Sequence, residues 1–149
     1  MPAILRSAAA GLALSCAPAS AFEGGTYAVA VRLELPHLAE AAATRQVELC
    51  LDPAREGYGL AVLSANNPLA RCPLSEIRRE GEALTFAIRC PGRNAAAASA
   101  AYRLGPDGFS GRIAMRMGAK NMTMTEVQTA RRTGPCRPAG AGEAGSATP

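Results

Sequence analysis

The 149-residue sequence contains no tryptophan, a single histidine and a single lysine, and Leu, Ile, Val and Phe together fill 26 positions. Its 48% hydrophobic content comes largely from 33 alanines, whose methyl groups bury little area each. So few bulky residues would leave a highly charged chain unfolded, but the net charge is a modest +4, and a folded domain held by covalent cross-links is expected. With 15 Gly and 11 Pro, long helical bundles and coiled coils are excluded, because each such residue in a helix interior weakens it.

Blocks of like charge are also missing. The 15 arginines are scattered among apolar residues and are not interleaved with stacking aromatics, so no nucleic-acid footprint is expected. The sequence has neither a Cys-x-x-Cys pair nor a Gly-rich phosphate loop, which removes the usual zinc, thiol-redox and nucleotide signatures. Ser110 lacks the strand-turn-helix setting of a nucleophile elbow. Glu34, Glu48, Glu76 and Glu126 fall mainly on faces that read as wet, and no two are spaced as an acid/base couple. His37 reads as a surface loop residue. A non-enzymatic protein is expected.

What is present begins with an address. Ser7 to Phe22 carry no charge, follow Arg6, and lead through Ala19-Ser20-Ala21, the small-x-small pattern that a signal peptidase accepts. Cleavage after Ala21 and a periplasmic or secreted location are expected. At 1.5 Å per residue this segment reaches about 24 Å, short of a hydrocarbon core of roughly 30 Å, so no transmembrane span is expected in the mature chain. Cys16 would be the lipidated residue of a lipoprotein, but Ala13 and Leu14 fit that signal poorly.

Removing the leader leaves Cys50, Cys72, Cys90 and Cys136, an even set that an oxidising compartment would pair in one of three ways. Two extended runs flank Glu80-Gly81-Glu82, and a hairpin turning at Gly81 brings Cys72 opposite Cys90. Cys50 then pairs with Cys136. In the chain-entropy picture the two loops contribute about 3 and about 4–5 kcal/mol. The same register sets Leu74 against Ile88 but Glu76 against Phe86, so a bulge or a longer turn is expected.

Along the mature chain, Tyr27, Val29, Val31, Leu33 and Leu35 alternate with smaller or charged residues, the period of two of a strand with one buried face. Further strands are expected at Arg45–Leu51, Cys72–Arg79, Ala83–Cys90, Ala95–Leu104, Phe109–Met117 and Met122–Arg132. Leu38–Ala43 tolerates a helix, and Asp52-Pro53 reads as a short helix start, a cap followed by proline. Gly105-Pro106-Asp107-Gly108 is a strong turn. The fold class is mainly β, an antiparallel meander of about seven short strands forming a curved sheet or small barrel. The domain spans 22–136, between a 1–21 signal peptide and a 137–149 tail too poor in bulky residues to order.

If the last hairpin turns at Gly118–Asn121, Met117 faces Met122 and Met115 faces Met124, placing four thioethers on one face. Soft thioethers suit Cu(I), whereas Phe109, Ile113, Met115 and Met117 equally make an apolar stripe for core packing. The leading expectation is an exported binding module for an apolar small molecule or a cell-envelope partner; the alternative is Cu(I) binding at Met115, Met117, Met122 and Met124.

Gly25-Thr26-Tyr27, Gln46-Val47-Glu48-Leu49-Cys50-Leu51-Asp52-Pro53, Cys72, Cys90-Pro91-Gly92, Phe109-Ser110-Gly111, Met122-Thr123-Met124-Thr125 and Arg131-Arg132-Thr133-Gly134-Pro135-Cys136 follow one another in an order that resembles the domain of unknown function 3617 family of exported bacterial proteins. The resemblance runs over about residues 24 to 136. It implies a periplasmic or secreted, mainly β protein with paired cysteines and supplies no reaction. The chain departs from that pattern in having Tyr27 where a tryptophan is usual and a short Gly57–Pro68 stretch where a longer polar helical insert is usual.

Overall fold

Alternation of large and small side chains organises seven strands: β1 Gly25–Glu34, β2 Arg45–Leu51, β3 Leu74–Glu80, β4 Ala83–Arg89, β5 Ala97–Leu104, β6 Gly108–Met117 and β7 Met122–Gly134. The computed structural model describes residues 22–36, 44–93, 95–118 and 122–136. The expected leader with Cys16, His37, the helix-tolerant Leu38–Ala43 segment, Lys120 and the 137–149 tail lie outside the described residues. Within them, no helix is long and apolar enough to cross a membrane.

All seven strands form one antiparallel sheet in the order β2-β1-β7-β6-β5-β4-β3. β3 to β7 make the expected meander, but the β1–β2 hairpin docks on β7, so the sequence neighbours β2 and β3 become opposite edges of a curved sheet that does not close. Residues 52–73 must therefore travel from one edge to the other, and they do so as a strap across one face. Leu60, Val62 and Leu69 of the strap are buried at 1–3% exposure. They cover the inner face made by Tyr27, Val29, Leu84, Phe86, Ile88, Ile113 and Met115. Alanine-rich β5 follows the same rule, with Ala98, Ala100, Tyr102 and Leu104 turned inward.

Aromatic rings extend this thin core. Tyr27 stacks on Phe22 at 5.4 Å and tilts against Phe109 at 5.7 Å; Tyr102 stacks on Phe86 and meets Phe109 edge-on. Such pairs add to the area they bury because the ring quadrupoles favour offset and edge-on contacts.

The β3–β4 hairpin resolves the register conflict with a bulge. A two-residue turn at Gly81 and Glu82 sets Glu80 against Ala83 and Arg78 against Thr85, and the register then shifts between Ser75 and Arg78. Beyond the shift Leu74 faces Ile88, and Cys72 pairs with Cys90 at a Cα–Cα distance of 4.9 Å. Without the extra residue Cys72 would face Pro91. Cys50 pairs with Cys136 at 5.3 Å, tying the edge strand β2 to the end of β7.

Asp52 does cap, accepting a hydrogen bond at Oδ1 from the Ala54 N–H at 2.9 Å, and the short helix start that Gly57 and Gly59 limit to about a turn is a turn here. A 3-10 turn follows at Glu56–Gly59, where Gly57 and Tyr58 take left-handed angles that no α-helix continues. A second, Pro68–Arg71, is capped by Asn67, whose side chain accepts from the Leu69 N–H.

Candidate functional site

Three features of the sheet carry polar or unusual chemistry: a buried polar clasp beneath the strap, a methionine end on the β6–β7 hairpin, and a trench on the outer face.

The clasp corrects the expectation that Glu126 is wet. Met115 faces Met124 in the β6–β7 ladder, and the period of two then places Glu126 and Gln128 on the same inner face, each at 0% exposure. Glu126 Oε1 accepts from the Leu63 N–H at 2.8 Å and from Gln128 Nε2 at 2.6 Å, while Oε2 accepts from the Ser64 N–H at 2.9 Å. Gln128 Nε2 also donates to the Ala61 carbonyl, and its Oε1 accepts from the Tyr102 hydroxyl at 3.0 Å. Burial pushes the Tyr102 phenol up, and the nearby Glu126 carboxylate pushes it the same way. A buried polar group is costly unless satisfied, and here Glu126 and Gln128 join the strap to the sheet while the Tyr102 hydroxyl completes Gln128. The arrangement is a fastening: its donors and acceptors are spent on one another.

The four methionines share the inner face in the expected register, with Met117 opposite Met122 and Met115 opposite Met124. Met115 is buried at 2%, Met117 and Met124 are half-buried against the core, and Met122 is 47% exposed. The Met115 sulfur accepts from Asn67 Nδ2 at 3.2 Å, and the same amide donates to Ser64 Oγ. Met115 thus anchors the strap, while the other three line the hairpin's outer end.

The opposite, outer face is built differently. Ladder pairing aligns Ala87, Ser99, Ala114, Thr125 and Glu34 in one row across β4, β5, β6, β7 and β1. On one side of this row stands the row of Arg89, Ala97, Arg116 and Thr123; on the other stand Arg78, Thr85, Ala101, Arg112, Val127 and Arg32. Two open grooves, of about 550 and 450 Å³, meet along the small-residue row. At strand spacings of about 4.8 Å the trench runs about 19 Å, and Arg112 and Arg116, four residues apart on β6, set its walls about 13 Å apart.

Its charges are uneven. Glu34 closes one end, held by Arg112 at 2.5 Å and Arg32 at 2.8 Å, and the Arg112 hydrogen bond holds its carboxyl below the usual carboxylate range. Glu76 closes the other end, 3.7 Å from Arg89. Among the described residues Arg78 and Arg116 make no ion pair. The scattering of the arginines along the sequence conceals this grouping; the signal for it is Arg112-x-Ala114-x-Arg116, which places a small residue between two cations on one face.

The residues of the opening and closing motifs come together at one corner of the sheet. Thr26 Oγ1 donates to the Pro135 carbonyl at 2.9 Å, Thr133 Oγ1 donates to the Thr26 carbonyl at 3.2 Å, and the Cys50–Cys136 bridge lies beside them. The class is therefore an open, curved antiparallel sheet, strapped on one face and clamped by two disulfides. The chain belongs to the family described as Protein of unknown function (DUF3617), whose model matches residues 18–136. No curated protein and no solved structure matches the chain.

Proposed function

We propose that this chain is an exported, non-enzymatic module that binds a cell-envelope partner through the outer face of its sheet. One observation carries the reading: the strap fills the inner face with Leu60, Val62 and Leu69, so the room for a partner lies in the open outer trench between Arg112 and Arg116. An apolar small molecule, the other occupant expected from the sequence, would need an enclosed apolar pocket, and these grooves are wide and edged by arginine. Export is supported by the uncharged Ser7–Phe22 segment and by two cysteine pairs at bridging distance.

The test is photocross-linking in the host cell with a benzophenone amino acid at Ser99 in the trench or at Arg55 on the strap. The reading expects an adduct with an envelope protein from Ser99 and none from Arg55. It fails if the protein stays in the cytoplasm, or if both positions behave alike.

A second reading, Cu(I) binding at the hairpin end, is favoured by the facing of Met117 and Met122 beside Met124. Competition with a Cu(I) chelator decides it: uptake lost when Met117, Met122 and Met124 become Leu supports it, and no uptake by the unaltered protein ends it.

A further inference from the structure

We propose that the outer trench recognises an acidic polypeptide segment in extended conformation, an inference that rests on the outer-face reading above and names its chemistry. The argument is charge complementarity over a shaped floor. Arg78 and Arg112 stand on one side of Ala87, Ser99 and Ala114, and Arg89 and Arg116 on the other. Small residues along the floor let a main chain approach the sheet. An extended chain projects alternate side chains to opposite sides about every 3.4 Å, so acidic residues lying across the strands face both arginine walls in turn. Guanidinium groups hold carboxylates through paired hydrogen bonds, and Arg78 and Arg116 are free of carboxylate partners among the described residues. At the two ends Glu76 occupies Arg89 and the half-buried Glu34 occupies Arg112 and Arg32; an incoming acidic segment replaces Glu76 on Arg89, an exchange between exposed groups that costs little, while Glu34 keeps its two arginines. The same end carboxylates oppose an anion that overruns the trench, which favours a short acidic stretch over a long polyanion.

The experiment measures fluorescence anisotropy of a labelled short peptide alternating Glu and Ser, with a Gln-for-Glu peptide as control, on the oxidised full chain. The acidic peptide binds and the neutral one does not, and affinity falls as salt rises. Reversal of Arg78 and Arg116 to Glu together weakens binding by at least about tenfold, with unfolding temperature unchanged because both side chains are exposed and make no ion pair among the described residues. Reversal of Arg55 and Arg71 on the strap changes net charge equally and leaves binding near its starting value. The proposal is overturned if the two peptides bind alike, if the two reversals weaken binding alike, or if the chain ignores the peptide and binds vesicles of phosphatidylglycerol. Loss of peptide binding while Ser99 still cross-links an envelope protein sinks the acidic-segment chemistry and leaves the outer-face reading standing.

Discussion

The Tyr102 ring lies directly over Gly111, its cross-strand partner, and a Cβ added at Gly111 would stand inside the van der Waals envelope of that ring. Gly111 is thus required by its neighbour's volume and not by its backbone angles, which lie outside the left-handed region. The ring in turn is fixed by its stack on Phe86 and by its hydroxyl on Gln128. Gly111→Ala is expected to lower stability by about 2–3 kcal/mol in urea unfolding, the upper end of overpacking costs. Combined with Tyr102→Leu it should cost less than the two single changes added together, because one clash is removed with the ring. Additive costs would show that the contact is not the cause.

Glu126 fastens the strap, and its removal should loosen that segment before the sheet. Glu126→Ala leaves the Leu63 and Ser64 N–H groups without their carboxylate acceptor, and a hydrogen bond to a charged group contributes about 1.5–3 kcal/mol. Hydrogen exchange should accelerate at Leu63 and Ser64 while amides of β5 and β6 keep their protection. Glu126→Gln restores one acceptor but turns an amide donor toward an N–H, so it should fall between the two. Uniform acceleration across the sheet would contradict the strap as a separate unit.

The contrast between Glu126 and Met124 shows what the sequence could disclose. Ladder registers were legible because they depend on local spacing: the β6–β7 pairs and the need for a bulge near Glu76 follow from counting residues around a turn. The docking of β1 and β2 on β7 was not, since it breaks the meander and is hinted at only by Cys50 pairing with Cys136. Glu126 and Gln128 look wet because their partners are backbone groups of Ala61, Leu63 and Ser64, more than sixty residues away in a strap without periodicity. Placing them on the Met124 face would have exposed the conflict, and a polar pair forced inward demands partners. The trench stayed hidden because it runs across strands, where each residue in its row comes from a different part of the chain.

At the bulge, Glu76 takes a φ of +54°, a left-handed conformation that costs an L-residue roughly 1–2 kcal/mol. Its ion pair with Arg89 joins side chains 65% and 68% exposed and offsets little of that. Glu76→Gly is therefore expected to raise stability by up to about 1 kcal/mol, and Glu76→Val to lower it by about the same or more. Both should keep the Cys72–Cys90 bridge, which intact mass with and without reductant verifies. A stabilising Val, or a Gly with no effect beyond error, would show that the bulge geometry is unstrained.

The last expectation concerns alkali. Burial raises the Tyr102 phenol well above its ordinary value of 10.0, and Tyr27 shifts upward for the same first reason, opposed by Arg132 and reinforced by Glu23 and Asp107. A phenol whose folded value is raised holds its proton in the folded state after the unfolded chain has lost it. Stability from this source is complete below about pH 10 and declines as pH rises above it, because the unfolded state then binds fewer protons. Phenolate absorbance after a jump to strong alkali should accordingly show a slow component that tracks loss of β-sheet circular dichroism. Tyr102→Phe should remove most of that slow component, at a cost of about 1 kcal/mol or more at neutral pH for the lost hydroxyl donor to Gln128. If the full tyrosine absorbance appears before any sheet signal is lost, Tyr102 is open to solvent and the polar clasp beneath the strap is not closed as described.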